Sequence, residues 1–130
     1  MRFKLIAALL ALAGCSKPVP YAISSDDTER FAAGIVRMNI PGRVAPVILG
    51  LRDCEVFSAV YDGDKIVDWK SVLAPKVEGY FKFMTGCLSQ SLTYDGHSAR
   101  AQLQRIPLGA GGGGLVTFVS SDGTHWKPSP

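Results

Sequence analysis

Apolar residues recur along this chain with several different periods, and each period predicts a different element. Leu5 to Ala13 is an unbroken apolar run preceded by Arg2 and Lys4. A bilayer-spanning helix takes about 20 residues, so this run is too short to cross but fits the apolar region of a secretory signal. Further on, Phe31, Ile35 and Met38 recur at i, i+4 and i+7, the spacing of one helical face. Asp26 and Glu29 make a capping-box pattern ahead of them, and Pro41 and Gly42 stop the pattern. The spacing predicts one helix over residues 26–39, with Phe31 and its partners packed on a sheet. Arg30 and Arg37 could extend a basic stripe to Arg43, but a solvated helix face explains them more simply.

From residue 44 onward the pattern changes to strands punctuated by Asp-Gly. Asp62-Gly63, Asp95-Gly96 and Asp122-Gly123 each lie between runs of strand-forming residues, and Asp-Gly is a strong hairpin signal because a type I′ turn needs positive φ at both central positions. Between His97 and Ile106, Ala99, Ala101 and Leu103 alternate with Arg100, Gln102 and Gln104, as in a half-buried antiparallel strand. Residues 65–73 repeat the idea, with Val67, Trp69 and Leu73 expected to face one way. The predicted fold class is α+β or mostly β: one N-terminal helix on an antiparallel meander of hairpins. "CEVFSAVYDG" and "CLSQSLTYDG", from Cys54 and Cys87, share Cys, three residues, Ser, two residues, Tyr-Asp-Gly. This is either an internal duplication or a coincidence of hairpin vocabulary.

Leu12, Ala13, Gly14 and Cys15 close the apolar run. Positive start, apolar run and Leu-small-small-Cys, in that order, resemble a bacterial lipoprotein signal over about the first 15 residues. The resemblance implies cleavage before Cys15, diacylglyceryl transfer to its thiol and acylation of the freed amine. Two or more chains, at about 0.8 kcal/mol per buried CH₂, make a stable anchor. Ser16, where Asp would retain enteric-type lipoproteins, implies the outer membrane, facing the periplasm, with exposure at the cell surface as the alternative. The expected organisation is a signal over 1–14, the lipidated Cys15 and an extended tether to residue 25, and a single small domain over 26–130.

With 47% hydrophobic and 19% charged residues, the composition permits a core. Removing residues 1–14 takes Arg2 and Lys4 from the 14 Lys and Arg, leaving twelve against eleven Asp and Glu, so the net charge falls from +3 to +1. No basic run interleaved with aromatics remains, and nucleic acid is not an expected partner. Once lipid claims Cys15, Cys54 and Cys87 are the remaining pair in an oxidising compartment. A bridge between them would stabilise the fold by roughly 3.5 to 4 kcal/mol in the chain-entropy model. Two free thiols or a metal pair would lack a nearby His or third Cys.

Candidate chemistry is thin. Gly109–Gly114, "GAGGGG", formally fits a dinucleotide fingerprint, but the strand-like "LVTFV" follows where the phosphate-binding helix is needed. "SSDGTHW", Ser120–Trp126, resembles the Asp-box turn of secreted β proteins, which implies a hairpin tip folded on itself and no glycan-cleaving activity. Ser91, Asp95 and His97 could make a nucleophilic set on paper, and Asp62, Asp64 and Asp68 a calcium site, yet turn chemistry accounts for the aspartates. No pattern calls for a cofactor. The expectation is a lipid-anchored, non-catalytic binding or assembly module of the cell envelope, attached to the membrane at Cys15 and meeting another envelope protein. Accessory lipoproteins of envelope machines and phage- or plasmid-type exclusion or lysis lipoproteins fall in this class. One alternative is a periplasmic inhibitor of a lysozyme-like enzyme, whose small disulfide-bearing lipoproteins this chain matches in size, though "GHSAR" at 96–100 is a poor copy of their loop. The other is an enzyme of unrecognised type.

Overall fold

The computed structural model describes residues 18–75, 86–105 and 114–130, and they form a mostly β fold. A short helix, α1 (Ser25–Arg30), precedes β1 (Gly34–Met38), β2 (Val47–Arg52), β3 (Glu55–Asp62), β4 (Lys65–Leu73), β5 (Cys87–Tyr94), β6 (Ala99–Arg105), β7 (Val116–Ser120) and β8 (Lys127–Ser129). These make two antiparallel sheets in sequential order, β1-β2-β3-β4 and β5-β6-β7-β8. The meander expected from the sequence is therefore present twice.

β2 sets the layering. In its sequence VILGLR, Leu49 and Leu51 enter the core between the sheets with Met38, Val56, Leu92, Ala101 and Leu103. Ile48 packs on the opposite face with Phe31, Ala59 and Trp69. A strand apolar on both faces needs a cover on each. The second sheet covers one face, and the segment carrying Tyr21, Ile23 and Phe31 covers the other. Ala99, Ala101 and Leu103 are buried as their alternation predicts.

The helix is much shorter than its spacing predicted. Ser24, rather than Asp26, is the N-cap, accepting from the Asp27 amide at 3.0 Å, and the helix ends at Arg30. Gly34 and the β-branched pair Ile35-Val36 disfavour a continued helix and suit a strand. In β1 the period is two: Val36 and Met38 join the core between the sheets, and Ile35 joins the opposite cluster. Phe31 and Ile35 thus meet on one face of the sheet, while Met38 turns to the other. The three arginines do not form a stripe. Arg30 lies 5.1 Å over the Phe31 ring, Arg37 donates to the Tyr21 carbonyl, and Arg43 stands on the loop before β2.

β4 departs from simple alternation because it carries two bulges. Val60 pairs with Asp68 but Tyr61 with Ile66, and Phe57 pairs with Ser71 but Val56 with Leu73, so Val67 and Val72 are the extra residues. Each extra residue flips the parity. Val67 is accordingly 58% exposed while Ile66 and Trp69 share the Phe31 cluster, and Leu73 turns to the other core.

The turns also differ in detail. At the β3–β4 hairpin, Asp62 pairs with Lys65, so Gly63 and Asp64 form the loop, and of these Gly63 alone has positive φ, 62°. Asp95-Gly96 lies in a four-residue loop between paired Tyr94 and Ala99. The type I′ signature falls instead between β2 and β3, where Arg52 pairs with Glu55 and both Asp53 and Cys54 have positive φ, 52° and 60°. Cys54 is fully buried there and bridges to Cys87 with a Cα–Cα separation of 5.5 Å. The two "Cys…Tyr-Asp-Gly" copies form the third strand of one sheet and the first strand of the other. Their matched residues Ala59 and Leu92 lie in different cores, so the likeness is not a structural repeat.

Phe31 lies directly on Gly50. A Cβ added at Gly50 would sit 2.5 Å from the Phe31 Cγ, and Phe31 is 1% exposed with nowhere to move. Gly50→Ala is expected to destabilise by about 1–3 kcal/mol through overpacking. Phe31→Ala removes the clashing ring, so a double-mutant cycle followed by urea denaturation should show Gly50→Ala costing far less in that background. Equal costs in both backgrounds would contradict the contact.

Candidate functional site

Two neighbouring features concentrate polar groups, and they differ in how completely those groups are satisfied. The first is the turn between β7 and β8. Ser120 Oγ accepts from the Gly123 amide at 2.8 Å and donates to Asp122 Oδ1 at 3.1 Å. Asp122 Oδ1 also accepts from the Thr124 and His125 amides, both at 2.8 Å, and its Oδ2 lies 2.6 Å from His125 Nδ1. Trp126 Nε1 donates to the Gly123 carbonyl at 3.1 Å, while the ring packs on the core between the sheets. Gly123 has φ 82°, and a Cβ there would meet Val47 Cγ1 at 2.7 Å. Glycine thus permits both the turn and its docking on β2. The tip is folded on itself, as its resemblance to an Asp-box implies. The His125 amide, opposed by some desolvation and helped by the His125 ring, the Thr124 amide and Ser120, holds the Asp122 carboxyl well below the usual carboxylate range.

The second feature is a cleft of about 500 Å³ beside that turn. Residues 43–47, β3, Lys70 of β4 and Thr124 line it. Ser58 and Lys70 are register partners, so their side chains lie on one face of the sheet. The Tyr61 hydroxyl donates to the Pro46 carbonyl and pins the 43–47 loop to β3. Burial, partly offset by the Ile48 backbone and by Arg37, pushes the Tyr61 phenol above its ordinary value, which keeps it a donor. Among the described residues, neither Arg43 nor Lys70 is in an ion pair. Ser58 lines the cleft at 9% exposure, and its hydroxyl has no hydrogen-bond partner among the described residues. The cleft therefore offers two cations and an unengaged hydroxyl against an apolar wall of Val44, Val47 and Val60.

Of the residues singled out from the sequence, Cys54 and Cys87 meet as a disulfide. Cys15 lies outside the described residues, as does the glycine run apart from Gly114. Ser91, Asp95 and His97 do not assemble. The Ser91 hydroxyl bonds Gln102, while Asp95 Oδ1 accepts from the His97 and Ser98 amides at 2.8 Å each. Those amides, Ser98 first, lower the Asp95 carboxyl from its ordinary value, so this aspartate closes its turn. Asp68 accepts from the following amide, that of Trp69. Among the described residues no group of three or more His, Cys, Asp or Glu could hold a metal ion. Arg43, Ser58, Lys70 and Thr124 were not legible as a set, because no spacing motif links a loop, two strands and a distant turn.

The sequence matches no protein-family model, and no curated protein or solved structure matches it either.

The depressed Asp122 carboxyl makes a pH prediction. A folded-state value below the unfolded one, about 3.9, means the turn's stabilisation is complete above that pH and is lost as pH falls through the folded value. In NMR titration of side-chain carboxyls, Asp122 should be among the last aspartates to protonate, and Asp122→Ala should reduce the pH dependence of stability below about pH 4. An ordinary Asp122 midpoint would refute the closed network.

Proposed function

We propose that this protein is a lipid-anchored cell-envelope lipoprotein that acts as a non-catalytic binding or assembly module. The observation that carries the reading is the pairing of a lipobox ending at Cys15 with a domain whose other two cysteines, Cys54 and Cys87, are joined. A disulfide suits an oxidising compartment, and a lipidated N-terminal cysteine suits the envelope. Cys15 is the attachment point to the outer membrane, with the domain facing the periplasm; the tether is shorter than the stretch to residue 25, because Tyr21 and Ile23 pack on the first sheet and Ser25 opens α1.

Among the described residues, the outer edges of both sheets direct a partner toward loops. β4 carries two bulges along with Lys65 and Lys70, and β8 is three residues long with Pro128 at its centre. Bulges, lysines and proline each discourage strand addition. β1 and β5 face one another, with a Cβ at Gly34 only 3.5 Å from that of Leu92. Among the described residues, loops such as 43–47 and the 120–126 turn then offer the contact surface for another envelope protein.

Mass spectrometry of the protein isolated from membranes tests the anchor. The expected N-terminus is Cys15 carrying a diacylglyceryl group and an acylated amine, and Cys15→Ser should release the protein from the membrane fraction. An unmodified Cys15, or cleavage elsewhere, would overturn the localisation. Cross-linking in intact membranes followed by pull-down should return one stoichiometric envelope protein.

A further inference from the structure

We propose that the cleft between the 43–47 loop, β3, Lys70 and Thr124 binds a small amphipathic organic anion, a carboxylate or phosphate carried on a short apolar body. The inference is independent of lipidation at Cys15, since every residue it uses lies in the folded domain.

Three observations carry it. The first is the uncompensated charge: Arg43 and Lys70 line one cleft, and among the described residues neither has an acidic partner. Asp68 shares the Lys70 face of β4, but its Oδ1 accepts from the Trp69 amide and it makes no ion pair among the described residues. The second is Ser58. Its hydroxyl opens on the cleft and makes no hydrogen bond among the described residues, so its bonding capacity is available to a ligand. Its register pairing with Lys70 places hydroxyl and ammonium on the same face, where one anionic oxygen pair could engage both. The third is size and lining. About 500 Å³ falls within the range of small-molecule pockets, and Val44, Val47 and Val60 supply apolar surface beside the charges.

The cleft is also braced. The Tyr61 hydroxyl fixes the loop carrying Arg43 through Pro46, and the Asp122 network fixes the turn carrying Thr124. Such bracing lowers the ordering cost of binding. Val44, 97% exposed among the lining residues, offers apolar surface to a bound body.

The test is an NMR titration of the purified full protein with hexanoate, hexyl phosphate and, as the neutral control, hexanol. Saturable shifts at the Arg43, Ser58 and Thr124 amides are expected with an anion at up to about 20 mM, the affinity of a small fragment, and not with hexanol. Binding to one anion alone would identify the head group. The shifts should weaken with added salt. Arg43→Ala with Lys70→Ala should lower affinity about tenfold with the melting temperature unchanged, since both side chains are exposed. Ser58→Ala should lower it about threefold, and if that variant is unstable the double variant decides. No shift with either anion, equal shifts with hexanol, or full binding by the double variant would overturn the proposal.

Discussion

The Phe31 ring resting on the bare backbone of Gly50 is the contact on which the outer layer depends. β2 is apolar on both parities, so the first sheet cannot be left open on either side. Six helical residues bury nothing of their own, and the cover comes from Phe31 just past the helix, with Trp69 at 4.4 Å and Phe57 at 5.6 Å between ring centroids. Any side chain at position 50 would lift that ring off the sheet. Tyr21, which edges onto Tyr61 at 4.8 Å and donates its amide to the Asp64 carbonyl, is laid down by the same segment. Tyr61 in turn holds the loop over the cleft, so the packing of the outer layer reaches the cleft through one aromatic residue.

The seam between the sheets is held in a different way. Asp53 and Cys54 adopt left-handed backbone, which for a residue other than glycine costs about 1–2 kcal/mol. Two interactions at Cys54 offset this: its amide donates to Gln90 Oε1 of the second sheet at 2.9 Å, and its sulfur is bonded to Cys87. The turn at the end of β2 is therefore fastened to β5 by a hydrogen bond and a covalent bond at one point. Reduction would leave the strained turn held to the second sheet at Cys54 by the Gln90 hydrogen bond without the bridge.

How much of this was legible follows from which signals are local. Ala99, Ala101 and Leu103 announced their strand because β6 has no bulge, and the Ser120–Trp126 turn was readable because its bonds all fall within seven residues. The helix over 26–39 misled because a β-strand following a short helix can place Phe31, Ile35 and Met38 at a helical spacing, and only the second sheet shows that Met38 faces another way. Val67 and Leu73 misled because bulges are set by strand pairing, which no single segment encodes. The turn at Asp53-Cys54 was hidden because the cysteine is held there by distant partners. The cleft was hidden for the same reason: Ser58 and Lys70 become neighbours only through register, and Thr124 arrives from the other sheet.

Satisfaction of polar groups, rather than their abundance, separates scaffold from site here. The Asp122 turn has the denser collection of polar atoms, with a serine, an aspartate and a histidine in contact, and a sequence reader looking for chemistry would stop there. Yet Asp122 already accepts from Thr124, His125 and Ser120, and Ser120 Oγ both donates and accepts within the same turn. A carboxylate held this way is stabilised in its charged form and is a poor proton carrier near neutral pH. Ser58, Arg43 and Lys70 are fewer and look ordinary, but their bonding capacity is not consumed within the described fold. A hydroxyl left unengaged beside two unpaired cations in one cleft is bonding capacity that a ligand can take up. The turn's role then follows from its position: by closing on itself and docking Gly123 against Val47, it builds a rigid wall for the cleft next to it.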